Sequence, residues 1–178
     1  MRTVLYPEGG PVSDDALPPL AAGGGIVAEA DGPGPAANGV LFALGDPNCG
    51  LAAYVIDGTL SITIAVPGGS TTVTAEEQLT AGPHRIGCKF RPEPGKGVHI
   101  DAVIDGKEAA TGYSDHPLPL GWQIGGTSIT LGYDRGLPVS DSYSPPFPWT
   151  GKLHQVVIEA NQGSQRQADA IRNALKTD

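Results

Sequence analysis

The chain has 178 residues, enough for one domain with a sizeable core. Its formal net charge of −8 argues against nucleic acid or an anionic membrane as partner, since both would repel it. Only 17% of residues are charged, and the 26 glycines and 17 prolines fall between apolar runs, where they read as turns and not as disorder.

Residues 1–7 hold no apolar stretch of signal-peptide length, and nowhere do about 18 apolar residues follow one another, so a cytoplasmic protein without membrane spans is expected. Strand patterns begin at 25–30 and 39–44. Residues 51–56 then run into Asp57-Gly58, and Leu60, Ile62, Ile64 and Val66 alternate behind it. Asp-Gly between two such runs predicts a tight hairpin, because both residues tolerate positive φ. The letters Val-Ile-Asp-Gly return at 103–106, after Val98, Ile100 and Ala102. Between the hairpins, 71–74 and 84–91 are further strands. In the second, Ile86, Cys88 and Phe90 share one face, and Arg85, Lys89 and Arg91 the other.

Residues 127–131 continue the pattern. The last strand, 153–158, breaks alternation at Val156-Val157, which predicts a bulge or burial on both faces. A helix is expected over 165–176: Ser164 and Gln167 form a capping-box pair, and Ala168, Ile171 and Leu175 make a narrow apolar stripe. It either docks on the body of the protein or mediates self-association. About ten strands and one helix define an all-β antiparallel β-sandwich over 1–160, followed by a C-terminal helical segment over 161–178.

The run Gly132-Tyr133-Asp134-Arg135-Gly136-Leu137-Pro138-Val139-Ser140, with Pro146-Phe147-Pro148-Trp149-Thr150-Gly151-Lys152 after it, resembles the closing segment of the C-terminal β-sandwich domain of bacterial arylsulfatases. The Tyr54 to Gly58 hairpin and the approach Leu79-Thr80-Ala81-Gly82-Pro83-His84 are similar to that domain as well, and the likeness extends from about Leu5 to Ile158. It implies a concanavalin-like jelly roll without sulfatase chemistry of its own. Because that domain packs against a catalytic domain in the full enzymes, a protein partner or self-association is the first expectation. A carbohydrate or another small molecule is the second. Trp149 replaces a phenylalanine of the family pattern, which places it in the core.

The motifs of catalysis are missing. Cys88-Lys89-Phe90-Arg91 and Cys49-Gly50-Leu51 lack the Cys-x-Pro-x-Arg pattern from which sulfatases make their nucleophile. Glu76 and Glu77 are adjacent and would point to opposite faces of a strand, so no paired carboxylates of glycosidase type are visible. No nucleophile elbow, P-loop or zinc-ligand spacing occurs, and no cofactor is expected. Asp115, Asp134 and Asp141 lack the dense spacing of a calcium loop, so no metal is expected, and Asp134 and Ser140 are read as fastening their own loop. Cys88 is read as a buried free thiol.

A polar constellation remains. Ser61, Thr63, Arg85, Lys89, Arg91, His99 and Asp101 are expected to line the concave side of one sheet, with His99 and Asp101 on the same face. Trp122 is the exposed aromatic expected to stack on a sugar. These residues define two rival functions. One is a non-catalytic module that binds ligand through Arg85, Lys89, Arg91, His99, Asp101 and Trp122. The other is a small enzyme in which His99 and Asp101, with Arg91, do acid–base work. An enclosed pocket would favour the enzyme and an open sheet face the binder.

Overall fold

A computed structural model describes residues 2–13, 16–18, 20–118 and 128–161. Trp122 and the expected helix at 165–176 lie outside the described residues. Twelve strands occur among those described: β1 (Arg2–Leu5), β2 (Val12–Ser13), β3 (Gly24–Pro33), β4 (Gly39–Gly45), β5 (Gly50–Ile56), β6 (Thr59–Val66), β7 (Gly69–Thr74), β8 (Ala81–Pro92), β9 (Val98–Ile104), β10 (Lys107–Ser114), β11 (Ser128–Leu131) and β12 (Lys152–Ala160). They form two six-stranded antiparallel sheets. Sheet A has the order β1-β12-β3-β8-β9-β10, and sheet B the order β2-β11-β4-β5-β6-β7. The fold is the all-β jelly-roll sandwich.

Both Asp-Gly pairs turn as their chemistry requires. Asp57 and Gly58 have φ of 48° and 77°, and Asp105 and Gly106 have φ of 52° and 80°. Positive φ at both positions matches the twist of the strands they join. The sheets face each other across one apolar interior. Ile26, Ile86, Phe90, Ile100 and Ile158 come from sheet A, and Phe42, Leu44, Leu51, Ile62 and Ile64 from sheet B. A register shift between Val40 and Phe42 turns Leu41 and Phe42 into this interior together. In β12 the register shift falls between Leu153 and Gln155, ahead of the paired valines. At Val156-Val157 the sequence is answered instead by burial on both faces, at 0% and 4% exposure.

The segment from Gly132 to Thr150 lies over the outside of sheet B. It is tied down by Gly132 N donating to Leu41 O at 2.8 Å, Val40 N to Phe147 O at 2.9 Å and Trp149 N to Gly132 O at 2.9 Å. Val139 and Tyr143 of this segment close over Val40, Ala43, Ala52 and Tyr54 of the sheet to form a second, smaller apolar cluster. Tyr143 sits between Tyr54 and Phe147, with ring centroids 4.9 Å and 5.6 Å away. Trp149 reaches past this layer into the main core, its indole N–H donating to Asp31 O at 3.1 Å.

Candidate functional site

The loop over sheet B is self-contained. The buried Asp134 carboxylate accepts from Arg135 N at 2.7 Å, Val139 N at 3.4 Å and the Tyr143 hydroxyl at 2.5 Å. Burial first, and then the hydrogen bond to Asp134 and its charge, raise the Tyr143 phenol well above its ordinary value. Ser140 Oγ accepts from Ser142 N and also meets the Tyr54 hydroxyl, both at 3.1 Å. Asp134 and Ser140 therefore fasten their own loop, as the sequence suggests. Among the described residues no group of three or more His, Cys, Asp or Glu is placed to hold a metal ion.

Ser61 and Thr63 do not join the cationic strand. They belong to β6 in sheet B, where Thr63 contacts the Tyr54 hydroxyl at 2.9 Å and Thr72 at 2.8 Å, and Ser61 contacts Thr74 at 3.0 Å. Alternation assigns a residue to a face of its strand and not to one of two sheets, so the expected grouping fails there. The other five residues do share a surface, the outer face of sheet A. Arg91 pairs with His99, and Lys89 with Asp101.

On that surface Arg91 donates to Asp101 through Nε at 2.8 Å and through Nη2 at 2.9 Å. Thr111 Oγ1 lies 2.9 Å from Asp101 and 2.6 Å from Glu108, so its one proton is shared between two carboxylates. The Arg91 hydrogen bonds hold the Asp101 carboxyl below the usual carboxylate range, against an opposing effect of its burial. His99 does not hydrogen-bond to Asp101. Its Nε2 meets Glu93 Oε1 at 2.6 Å, and its ring tilts against Tyr113 with centroids 4.9 Å apart. That hydrogen bond lowers the Glu93 carboxyl in turn. Tyr113 is 40% exposed, its hydroxyl accepting from Gly97 N at 3.1 Å. The Arg91 side chain is 56% exposed. Arg85 lies 3.6 Å from Glu29, and Lys89 is exposed and forms no ion pair among the described residues.

A groove runs across this face, lined by Gly24, Gly25, Val27, Lys89, Arg91 and Val157 among others. Glycine opens it by necessity. A Cβ on Gly87 would collide with the Ile26 carbonyl, and one on Gly25 would come within 2.8 Å of the Cys88 carbonyl. Beneath it, Cys88 faces the core, and burial pushes its thiol up to about 12, which removes it as a nucleophile.

A second cluster went unread in the sequence. His84 Nδ1 lies 2.6 Å from Asp105 Oδ2, and its Nε2 lies 2.8 Å from Thr80 O. The Asp105 carboxylate and the Thr80 carbonyl both accept and so favour the imidazolium form, while the Thr80 hydroxyl, 3.1 Å from Nε2, can donate to the ring once it is neutral. Burial lowers the His84 pKa, but the hydrogen bonds to Asp105 and Thr80 outweigh it and the net shift is upward.

No family model matches the chain, and no curated protein matches it in sequence. Its fold is similar to solved structures. The mouse laminin α1 chain, domains LG4-5, shares 15% identity and a TM-score of 0.56 over 92% of this chain and 43% of that one. The CBM40 of the Ruminococcus gnavus IT-sialidase, bound to α2,3-sialyllactose, shares 12% identity and a TM-score of 0.55, covering 93% and 95%. The heptameric SAP-like pentraxin from Limulus polyphemus shares 14% and 0.53, covering 92% and 79%. The chain thus spans less than half of the laminin structure. At these identities the likeness establishes the β-sandwich fold and carries no site residue with it.

Proposed function

We propose that this protein is a non-catalytic binding module that holds a small anionic saccharide on the outer face of sheet A, at the corner formed by Lys89, Arg91, His99 and Tyr113. One observation carries the reading: an exposed aromatic ring stands in the same cross-strand row as Arg91, with Lys89 in the next row of the same open face. A sugar ring packs against an aromatic face, and ammonium and guanidinium groups bind carboxylate through charge-assisted hydrogen bonds. Asp101 occupies Nε and one N–H of Nη2, leaving three guanidinium N–H groups of Arg91 for a ligand. Of the cations at this corner Arg91 is tied to Asp101, while Lys89 forms no ion pair among the described residues, which leaves its ammonium open to a ligand carboxylate.

The openness of the corner supports binding over catalysis, as does the pairing of His99 with Glu93 while Asp101 is locked to Arg91. The resemblance to a sandwich domain without sulfatase chemistry supports the same choice. The CBM40 neighbour, whose structure holds α2,3-sialyllactose, supports the ligand class. Calorimetric titration with sialyllactose and with lactose tests it. Saturable binding of the first and not the second is expected, weakened roughly tenfold by Lys89→Ala and by Tyr113→Ala, about 1.4 kcal/mol each. Equal affinity for both sugars, or unchanged affinity in both variants, contradicts it.

A further inference from the structure

Val157, Val27 and Val103 stand in one cross-strand row on the outer face of sheet A. Val157 pairs with Val27, Val27 with Gly87, and Gly87 with Val103, while Val4 extends the row beyond Val157. Gly87 contributes no side chain, so the row is a shallow apolar trough. Val103 and Val157 are each only 4% exposed, yet neither belongs to the interior core or to the cluster beneath the loop. Two apolar side chains are thus withdrawn from water on a face that the opposite sheet does not cover.

The chain itself supplies an occupant. Strand β12 ends at Ala160, and Asn161 is fixed on this face by its N donating to Gly23 O and its Nδ2 to Ala22 O, both at 3.0 Å. Asn161 lines the same groove as Val27, Val103 and Val157. The sequence then continues through Ser164 and Gln167 to Ala168, Ile171 and Leu175, spaced to share one helical face.

We propose that residues 165–176 form a helix that docks across this valine row of its own chain, with Ile171 and Leu175 over the trough. A twelve-residue helix is about 18 Å long at about 1.5 Å per residue. The row from β12 to β9 crosses three strand spacings of about 4.8 Å, roughly 14 Å. The lengths match, and the departure point at Asn161 leaves only a short connection to make. Arg91 lies four residues along β8 from this row, and Tyr113 five along β10 because of the extra residue there, each about 13 Å away, so the docked helix borders the ligand corner and leaves the Tyr113 ring open.

Methyl NMR on the full chain tests this. Nuclear Overhauser contacts from Ile171 and Leu175 to Val103 and Val157 are expected at every protein concentration. In the variant carrying Ile171→Asp and Leu175→Asp those contacts disappear and the Val27, Val103 and Val157 methyl signals move, while those of Ile62 and Ile64 stay. Absence of the contacts in the unaltered chain overturns the proposal, as do valine signals unmoved in the variant. Contacts confined to mixed-label dimers, with the variant sedimenting at half the mass, overturn it in favour of a second copy as occupant.

Discussion

Arg91 and Asp101 are not cross-strand partners: Arg91 is opposite His99, and Asp101 is opposite Lys89. The guanidinium nevertheless spans this offset and grips the carboxylate with two hydrogen bonds of 2.8 and 2.9 Å. The diagonal link leaves the Lys89 ammonium outside the pair and draws the guanidinium to Asp101 and not to its cross-strand partner His99, whose ring packs on Tyr113 instead. A buried carboxylate thereby anchors an exposed cation.

Replacing Asp101 with Asn keeps the shape and removes the charge. We expect a loss of about 1–3 kcal/mol in urea unfolding at neutral pH, the range for a hydrogen bond to a charged group. The sign with pH follows from a depressed folded-state pKa. The carboxylate's contribution is present above its unfolded value of about 3.9 and is lost as pH falls through the folded value. The gap between wild type and Asp101→Asn therefore narrows below about pH 4. A gap constant down to the acid limit contradicts the ion-pair account.

His84 works in the opposite direction. Its folded pKa is raised, so its contribution is complete below about 6.5, the unfolded value, and is lost as pH rises through the folded value. His84→Gln is expected to lower the melting temperature more at pH 5.5 than at pH 9. Equal losses at the two pH values contradict an imidazolium held between Asp105 and Thr80.

The sequence exposes most of the sandwich and only part of its site. The two Asp-Gly turns and the alternation around Ile86 and Ile100 specify hairpins and faces, because those signals are local. Ser61 and Thr63 were misgrouped because strand periodicity carries no information on which sheet a strand joins. Tyr113 escaped for a subtler reason. Counting back from the turn, where Lys107 pairs with Ile104, sets Tyr113 opposite Val98, which faces the core. The register shift between Glu108 and Ala110 moves it opposite His99 and out onto the open face. One extra residue in the strand is what carries Tyr113 from the face of Val98 to the open face.

Gly87→Ala places a methyl group against the Ile26 carbonyl, where the backbones of β3 and β8 leave no room. Overpacking of this kind costs about 3 kcal/mol, and chemical denaturation should find a loss near that size. Gly106→Ala, where a Cβ meets nothing within 4 Å, carries only the strain of its positive φ and should cost less. The reverse order contradicts the packing described between the strands.

Tyr143→Phe leaves the buried Asp134 carboxylate with two backbone donors and no hydroxyl. A loss of about 1–3 kcal/mol is expected, with earlier proteolytic cleavage between Gly132 and Trp149. Unchanged stability and cleavage would show that the loop is held by its apolar contacts alone.

The most direct test maps a ligand onto the surface. Isotope-labelled protein titrated with sialyllactose should show saturable shifts at Lys89, Arg91, His99 and Tyr113, with the residues around Tyr54 and Tyr143 unmoved. Saturable shifts confined to the loop-covered face of sheet B, or no shift at that corner at millimolar ligand, would contradict binding at the outer face of sheet A.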